Sequence, residues 1–132
     1  MKLLDSSVII GILRGDEKLR KVARELSREE ITTTVLTYFE LFSRIYHRGL
    51  AGEEKILRKL LKLMNILELD ETSADKAAEI MGRLLKAGKP VNIVDALISG
   101  IAIVNGIEEI ITKDADFKII EEIYGHPKIR IL

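Results

Sequence analysis

Short apolar runs alternate with segments of helical period along the whole chain, and this alternation limits the fold more than any other feature of the sequence. Lys2 to Leu4, Glu30 to Thr33, Ile66 to Leu69, Glu109 to Thr112 and Lys128 to Leu132 are brief and rich in β-branched or other apolar residues. Runs of that length suit strands. Between them, Ser6 to Leu13, Glu17 to Ser27, Val35 to Arg48, Ala51 to Met64, Thr72 to Leu85, Asn92 to Val104 and Phe117 to Tyr124 carry apolar residues at helical spacing. Ser6 or Ser7, Thr72 or Ser73, and Asn92 are the expected helix caps, and Gly49, Gly88 and Asn105-Gly106 the expected stops. Strands separated by helices pair in parallel, and a parallel sheet is covered on both faces. The expected fold is therefore α/β: a three-layer α/β/α sandwich with a central parallel sheet of four to five strands, forming a single domain over residues 1–132.

Composition removes several functions. The chain has no cysteine, so disulfides, thiolate catalysis and cysteine-ligated zinc or iron–sulfur centres are excluded. Its two histidines, His47 and His126, are far apart in sequence. Lysine plus arginine and aspartate plus glutamate number 21 each, for a formal net charge of zero; a charge-driven coat for nucleic acid is not expected. The longest apolar stretch, Ile93 to Val104, contains Asp95 and is too short to span a membrane. MKLLDSS has no signal-peptide pattern, so a cytoplasmic protein with no membrane partner is expected. No GxGxxG or Walker A sequence occurs, which removes dinucleotide and P-loop readings.

Four acids stand out against apolar surroundings. Asp5 ends the first strand, in LLDSSVII. Glu40 interrupts an apolar helix, in TVLTYFELFSRIYH. Asp95 is the only acid between Pro90 and Gly106, and Asp114 follows an apolar strand in EEIITKDADF, with Asp116 two residues on. Each has a structural explanation on its own. Asp5 is a natural cap for a helix starting at Ser6, Glu40 can pair with Arg44 one turn on, Asp95 suits the first turn after an Asn92 cap, and Asp114 or Asp116 can cap the last helix. Taken together they form a pattern, because unpaired carboxylates near a protein interior are costly without a cation. Hard oxygen donors select Mg²⁺ or Mn²⁺ over zinc. Sites in open α/β sheets form beyond the carboxyl ends of the strands, where Asp5 and Asp114 would lie. Catalytic and metal-binding roles are therefore expected for Asp5, Glu40, Asp95 and Asp114, with Asp116 a further metal ligand. Arg14, Arg44, Lys89 and Lys113 lie near these motifs and are candidate contacts to a phosphate backbone. Tyr38, Phe42 and Tyr46 form one helical stripe, read either as core or as a groove for a partner.

The motifs LLDSSVII, TTTVLTYFELF, GKPVNIVDALISGIAI and IITKDADF, in that order and across essentially the whole chain, resemble a PIN domain of the VapC toxin type. The resemblance implies a PIN-like α/β/α fold and RNA cleavage dependent on Mg²⁺ or Mn²⁺, with Asp5, Glu40, Asp95 and Asp114 as the acidic quartet. It also implies that Thr112 and Ser6 are small hydroxyl residues supporting the cluster, that the chain forms a homodimer, and that a small antitoxin is its protein partner. Ser99-Gly100 departs from the family's Ala-Ala, a small-for-small change. The alternative is a catalytically weak PIN-like module that binds RNA or a protein partner without cutting.

Overall fold

A computed structural model describes residues 1–26 and 30–132. Five strands form one sheet: β1 (Lys2–Leu4), β2 (Ile31–Thr34), β3 (Asn65–Leu67), β4 (Glu109–Thr112) and β5 (Lys128–Ile131). Every pairing is parallel and the spatial order is β3-β2-β1-β4-β5. The seven described helices are α1 (Ser6–Leu13), α2 (Glu17–Glu25), α3 (Val35–Arg48), α4 (Ala51–Leu61), α5 (Glu71–Lys86), α6 (Ile93–Val104) and α7 (Phe117–Tyr124). The chain builds outward from β1 to β3, then returns to the other side of β1 for β4 and β5. The order therefore reverses between β1 and β4, where an open α/β sheet leaves a crevice beyond its carboxyl edge.

The two central strands divide the core by residue parity. Leu4 and Ile111 point into a cluster with Val8 and Ile9 of α1, Leu19 of α2, Leu41 and Ile45 of α3, and Leu57 of α4. Leu3 and Ile110, one residue earlier, point to the opposite face and join Ile80 and Leu84 of α5, Ile98 of α6, and Phe117 and Ile120 of α7. Successive strand residues face opposite ways, so apolar doublets at 3–4 and 110–111 require helices on both sides. That produces the three layers. Among the described residues, no helix is long and apolar enough to cross a membrane.

Several expected boundaries shift, each for a local reason. Of the caps expected for α1, Asp5 is the one that acts, accepting from the Val8 N–H, and Ser6 and Ser7 do not. Asp70, rather than Thr72 or Ser73, caps α5: one carboxylate oxygen accepts from both the N–H and the hydroxyl of Ser73, at 2.8 and 2.7 Å. In both places a carboxylate precedes the hydroxyl residues and is the stronger acceptor for exposed amides. The second strand is Ile31–Thr34 rather than Glu30 to Thr33, because Thr34 ends the strand and its hydroxyl oxygen caps α3 by accepting from Thr37 N–H. The fourth helix stops at Leu61, short of Met64, and the third strand is Asn65–Leu67 rather than Ile66 to Leu69. The last strand ends at Ile131. The second helix is described to Glu25; its expected end at Ser27 lies outside the described residues.

Candidate active site

Each acid owes its place to the end of an element. β1 delivers Asp5 to the carboxyl edge, where its N–H donates to the carbonyl of Ile111 on the neighbouring strand. Asp5 is only 5% exposed, yet three donors satisfy it. Its Oδ1 accepts from the Ser7 hydroxyl at 2.6 Å and from Val8 N–H at 3.4 Å, and its Oδ2 accepts from the Thr112 hydroxyl at 2.5 Å. Thr112 ends β4, and its Oγ1 accepts in turn from Asp114 N–H at 2.9 Å. Asp114 Oδ1 then accepts from Asp116 N–H at 2.9 Å, an Asx turn that leads into α7. From the other side, Asn92 caps α6 through Val94 N–H at 2.8 Å, which sets Asp95 in the first turn. Glu40 descends from the second turn of α3, the helix that leaves the end of β2.

These elements enclose a hollow of about 250 Å³ whose walls include Asp5, Ser7, Glu40, Asn92, Asp95, Asp114 and Asp116. Hollows of about 490 and 370 Å³ lie elsewhere, the first with only Glu108 and Glu121 among its lining acids and the second with none. Asp95, Asp114 and Asp116 each offer an oxygen, all within 4.8 Å of one another, and among the described residues they are the one such group. The structure thus brings the five predicted acids to one hollow, with three of them within reach of a single ion and Asp5 and Glu40 on its walls.

The electrostatics follow from that crowding. Asp95 is pushed up to about 7, first by burial and then by the charges of Asp114, Asp5, Asp116 and Glu40. Burial also raises Asp5, against the pull of its Ser7, Thr112 and Val8 hydrogen bonds, with Asp114 adding to the rise. Glu40 is raised by burial and then by Asp5. Carboxylates that resist ionisation through mutual repulsion are relieved by a cation. An all-oxygen donor set of this kind fits Mg²⁺ or Mn²⁺.

Two sequence expectations change. Arg44 does not pair with Glu40; its guanidinium makes a two-pronged bond to Glu53 of α4, at 2.9 and 3.3 Å, with both side chains largely buried. This removes it from the candidate phosphate contacts, since Glu53 offers a fixed bidentate partner and Glu40 faces the hollow. Glu53→Gln is accordingly expected to lower stability by about 1 kcal/mol, read by urea unfolding; an unchanged midpoint would show that the pair contributes nothing. Arg14, Lys89 and Lys113 remain exposed. Second, Ser6 lines the hollow, but the hydroxyl that reaches Asp5 beside Thr112 is that of Ser7. The adjacent serines of LLDSSVII are indistinguishable until the helix start is fixed. With Asp5 as cap, Ser7 is the second helical residue and turns back toward it.

Fold and hollow together define an α/β/α sandwich with carboxylates converging over the point where its parallel strand order reverses. A sequence profile of the PIN domain matches residues 2–123, and the chain belongs to the PIN domain family. Solved structures with a similar fold include toxin–antitoxin proteins. VapBC2 from Rickettsia felis, bound to a promoter DNA fragment, has a TM-score of 0.86 at 14% identity, covering 99% of this chain and 98% of that one. VapBC-5 from Mycobacterium tuberculosis, a member of the VapBC family of toxin–antitoxin systems, has a TM-score of 0.73 at 25% identity, covering 99% and 96%. VapC20 from the same organism, a Sarcin-Ricin loop cleaving toxin, has a TM-score of 0.65 at 17% identity, covering 89% and 93%. No curated protein matches the chain.

Proposed function

We propose that the chain is a divalent-metal-dependent endoribonuclease, the toxin of a VapBC-type toxin–antitoxin pair, with residues 1–132 acting as one PIN domain in the cytoplasm. The observation that carries this reading is the convergence of Asp5, Glu40, Asp95, Asp114 and Asp116 on one hollow, where burial and then the charges of the other acids push Asp95 up to about 7. Membership of the PIN family and the likeness to an RNA-cleaving toxin support it.

Asp95, Asp114 and Asp116, with Asp5 beside them as a further ligand, would hold Mg²⁺ or Mn²⁺, and Glu40 would complete the acidic wall. Bound there, such an ion would neutralise the wall and supply Lewis-acid chemistry, lowering the pKa of water and offsetting charge on the phosphate. The chain's own residues supply the rest. Asp5 is immobilised by three donors. Glu40, raised by burial and by Asp5, faces the hollow from α3 and takes the proton of the attacking water. The water oxygen bonds to phosphorus as the bond to the 3′ oxygen breaks, and the departing 3′ oxygen takes a proton from solvent water, leaving a 5′-phosphate and a 3′-hydroxyl. Lys113, exposed between Thr112 and Asp114, is a candidate cation for the RNA backbone, as are Arg14 and Lys89.

The antitoxin and a second copy of the chain are the proposed protein partners. A groove of about 370 Å³ lined by Tyr38, Phe42, Arg58, Leu61, Met64 and Ile66 offers an apolar surface for one of them. Phe42 is buried, its ring centroid 4.4 Å from Tyr38, whereas Tyr46 is 66% exposed, so the aromatic stripe serves core and surface at once.

Purified protein incubated with total RNA should yield discrete fragments with 5′-phosphate ends in Mg²⁺ or Mn²⁺, and none in EDTA. Fragments formed equally in EDTA, or ending in a cyclic phosphate, would overturn the reading. RNA binding without cleavage by the metal-loaded protein would support a binding module in its place.

A further inference from the structure

We propose that Ser7 is a positioning residue: with Thr112 it clasps both oxygens of Asp5 to the loop that carries Asp114, and so fixes the first acid relative to the other metal ligands. This rests on the reading of the hollow as a metal centre.

The geometry is a pair of matching relays. Ser7 Oγ donates to Asp5 Oδ1 at 2.6 Å and accepts from Lys113 N–H at 3.0 Å. Thr112 Oγ1 donates to Asp5 Oδ2 at 2.5 Å and accepts from Asp114 N–H at 2.9 Å. Two successive amides of one loop are thus each joined, through one hydroxyl, to one oxygen of one carboxylate. Only a group that donates and accepts at once can do this, and among side chains of this size the hydroxyl is that group. Each hydroxyl proton is directed at Asp5 because the oxygen's lone pair already faces an amide.

Helix capping alone does not account for Ser7. The cap of α1 is complete with the Val8 N–H on Asp5, whereas the Ser7–Lys113 bond spans 106 residues of sequence. The consequence for Asp5 is orientational. A carboxylate offers about four lone-pair directions, and Ser7, Val8 and Thr112 occupy three. The one left is the direction available to a cation. Without Ser7, Oδ1 keeps only the 3.4 Å bond to Val8, and the carboxylate is free to rotate about Thr112 while the Lys113–Asp114 loop loses a tether.

Partners that orient a ligating carboxylate are typically worth about 10–100-fold in metal affinity. Titration of Mn²⁺ into the metal-free chain, by calorimetry or paramagnetic relaxation, should therefore show Ser7→Ala binding about 10–100-fold more weakly than wild type. Ser7→Thr, which keeps the hydroxyl, should restore affinity. Amide exchange at Lys113 in the metal-free protein should quicken in Ser7→Ala and not in Ser7→Thr. Because Ser7 acts through Asp5, adding Ser7→Ala to Asp5→Asn should weaken Mn²⁺ binding no further. Wild-type affinity in Ser7→Ala, or a full additional loss on the Asp5→Asn background, would overturn the clasp while leaving the metal centre standing. A folded wild-type protein that binds no Mn²⁺ would overturn both.

Discussion

Asp95→Asn should lower metal-dependent RNA cleavage by on the order of 10²-fold or more while making the metal-free protein more stable at pH 8. The two effects have one cause. Burial first, and then the charges of Asp114, Asp5, Asp116 and Glu40, push Asp95 up to about 7. In the unfolded chain the same carboxyl ionises near 3.8. Below that value the group is neutral in both states and opposes nothing. As pH rises toward 7 the unfolded chain releases a proton that the folded chain retains, so stability contributed by the protonated folded form is lost through this window. Above it the folded protein bears the cost of the buried charge together with the repulsion of its neighbours. Asparagine keeps the shape and cannot ionise. The gain over wild type should therefore be near zero at pH 4 and reach roughly 2 kcal/mol at pH 8, an increase in Tm of about 5 °C or more. Saturating Mg²⁺ should reverse the order, stabilising wild type more than the variant. Thermal unfolding across pH, with and without Mg²⁺, beside an RNA-cleavage assay, measures all of this. A variant that cleaves at the wild-type rate, or a stability difference independent of pH, would remove Asp95 from the centre.

Much of this site was legible because the sequence writes it in two independent patterns. Apolar doublets such as Leu3-Leu4 and Ile110-Ile111 declare strands buried on both faces, and the acids that follow them declare the carboxyl edge. Asp95 and Glu40 were legible differently, as single charges inside apolar helices where a solvated face had little room. The part that stayed hidden depends on choices between neighbours or on contacts distant in sequence. Periodicity places Glu40 and Arg44 on one helix face, but the bidentate fit of Glu53 on the next helix decides the pairing. Ser6 and Ser7 are equivalent until Asp5 is known to cap α1. Asp70 outcompetes Thr72 and Ser73 because a carboxylate is the better acceptor, which a rule favouring hydroxyl caps misjudged. The family resemblance supplied the order of the motifs, whereas the two relays into Asp5 emerge only when β1 and β4 lie side by side.

Gly100→Ala should destabilise the protein by about 2 kcal/mol, although helix propensity alone predicts the opposite. Gly100 lies inside α6, where exchanging glycine for alanine would ordinarily gain up to about 1 kcal/mol. Here a Cβ would stand 2.6 Å from the backbone carbonyl oxygen of Ser73 and 2.8 Å from both the N and the Cβ of Ala77. Two of these three atoms are backbone of α5, so no rotamer change relieves the contact and the helices must move apart. Ser99-Gly100 in place of Ala-Ala is therefore more than a small-for-small exchange in this chain: it permits α5 and α6 to touch nearly backbone to backbone. Urea or thermal unfolding should show a Tm lower by roughly 5–10 °C, and an equal or higher Tm would show that the helices separate at little cost. Ala77→Gly in the same chain should recover only part of the loss, because the carbonyl of Ser73 still obstructs the new methyl group. The displacement also reaches the acids. α6 carries Asp95 in its first turn, and a shift of that helix moves Asp95 relative to Asp114 and Asp116, which are anchored to β4 and α7. Gly100→Ala should thus weaken Mn²⁺ binding even at temperatures where it is fully folded. Gly82, where an added Cβ meets nothing within 4 Å, provides the control: Gly82→Ala in α5 should leave Mn²⁺ affinity unchanged and raise stability, since there the propensity term acts unopposed.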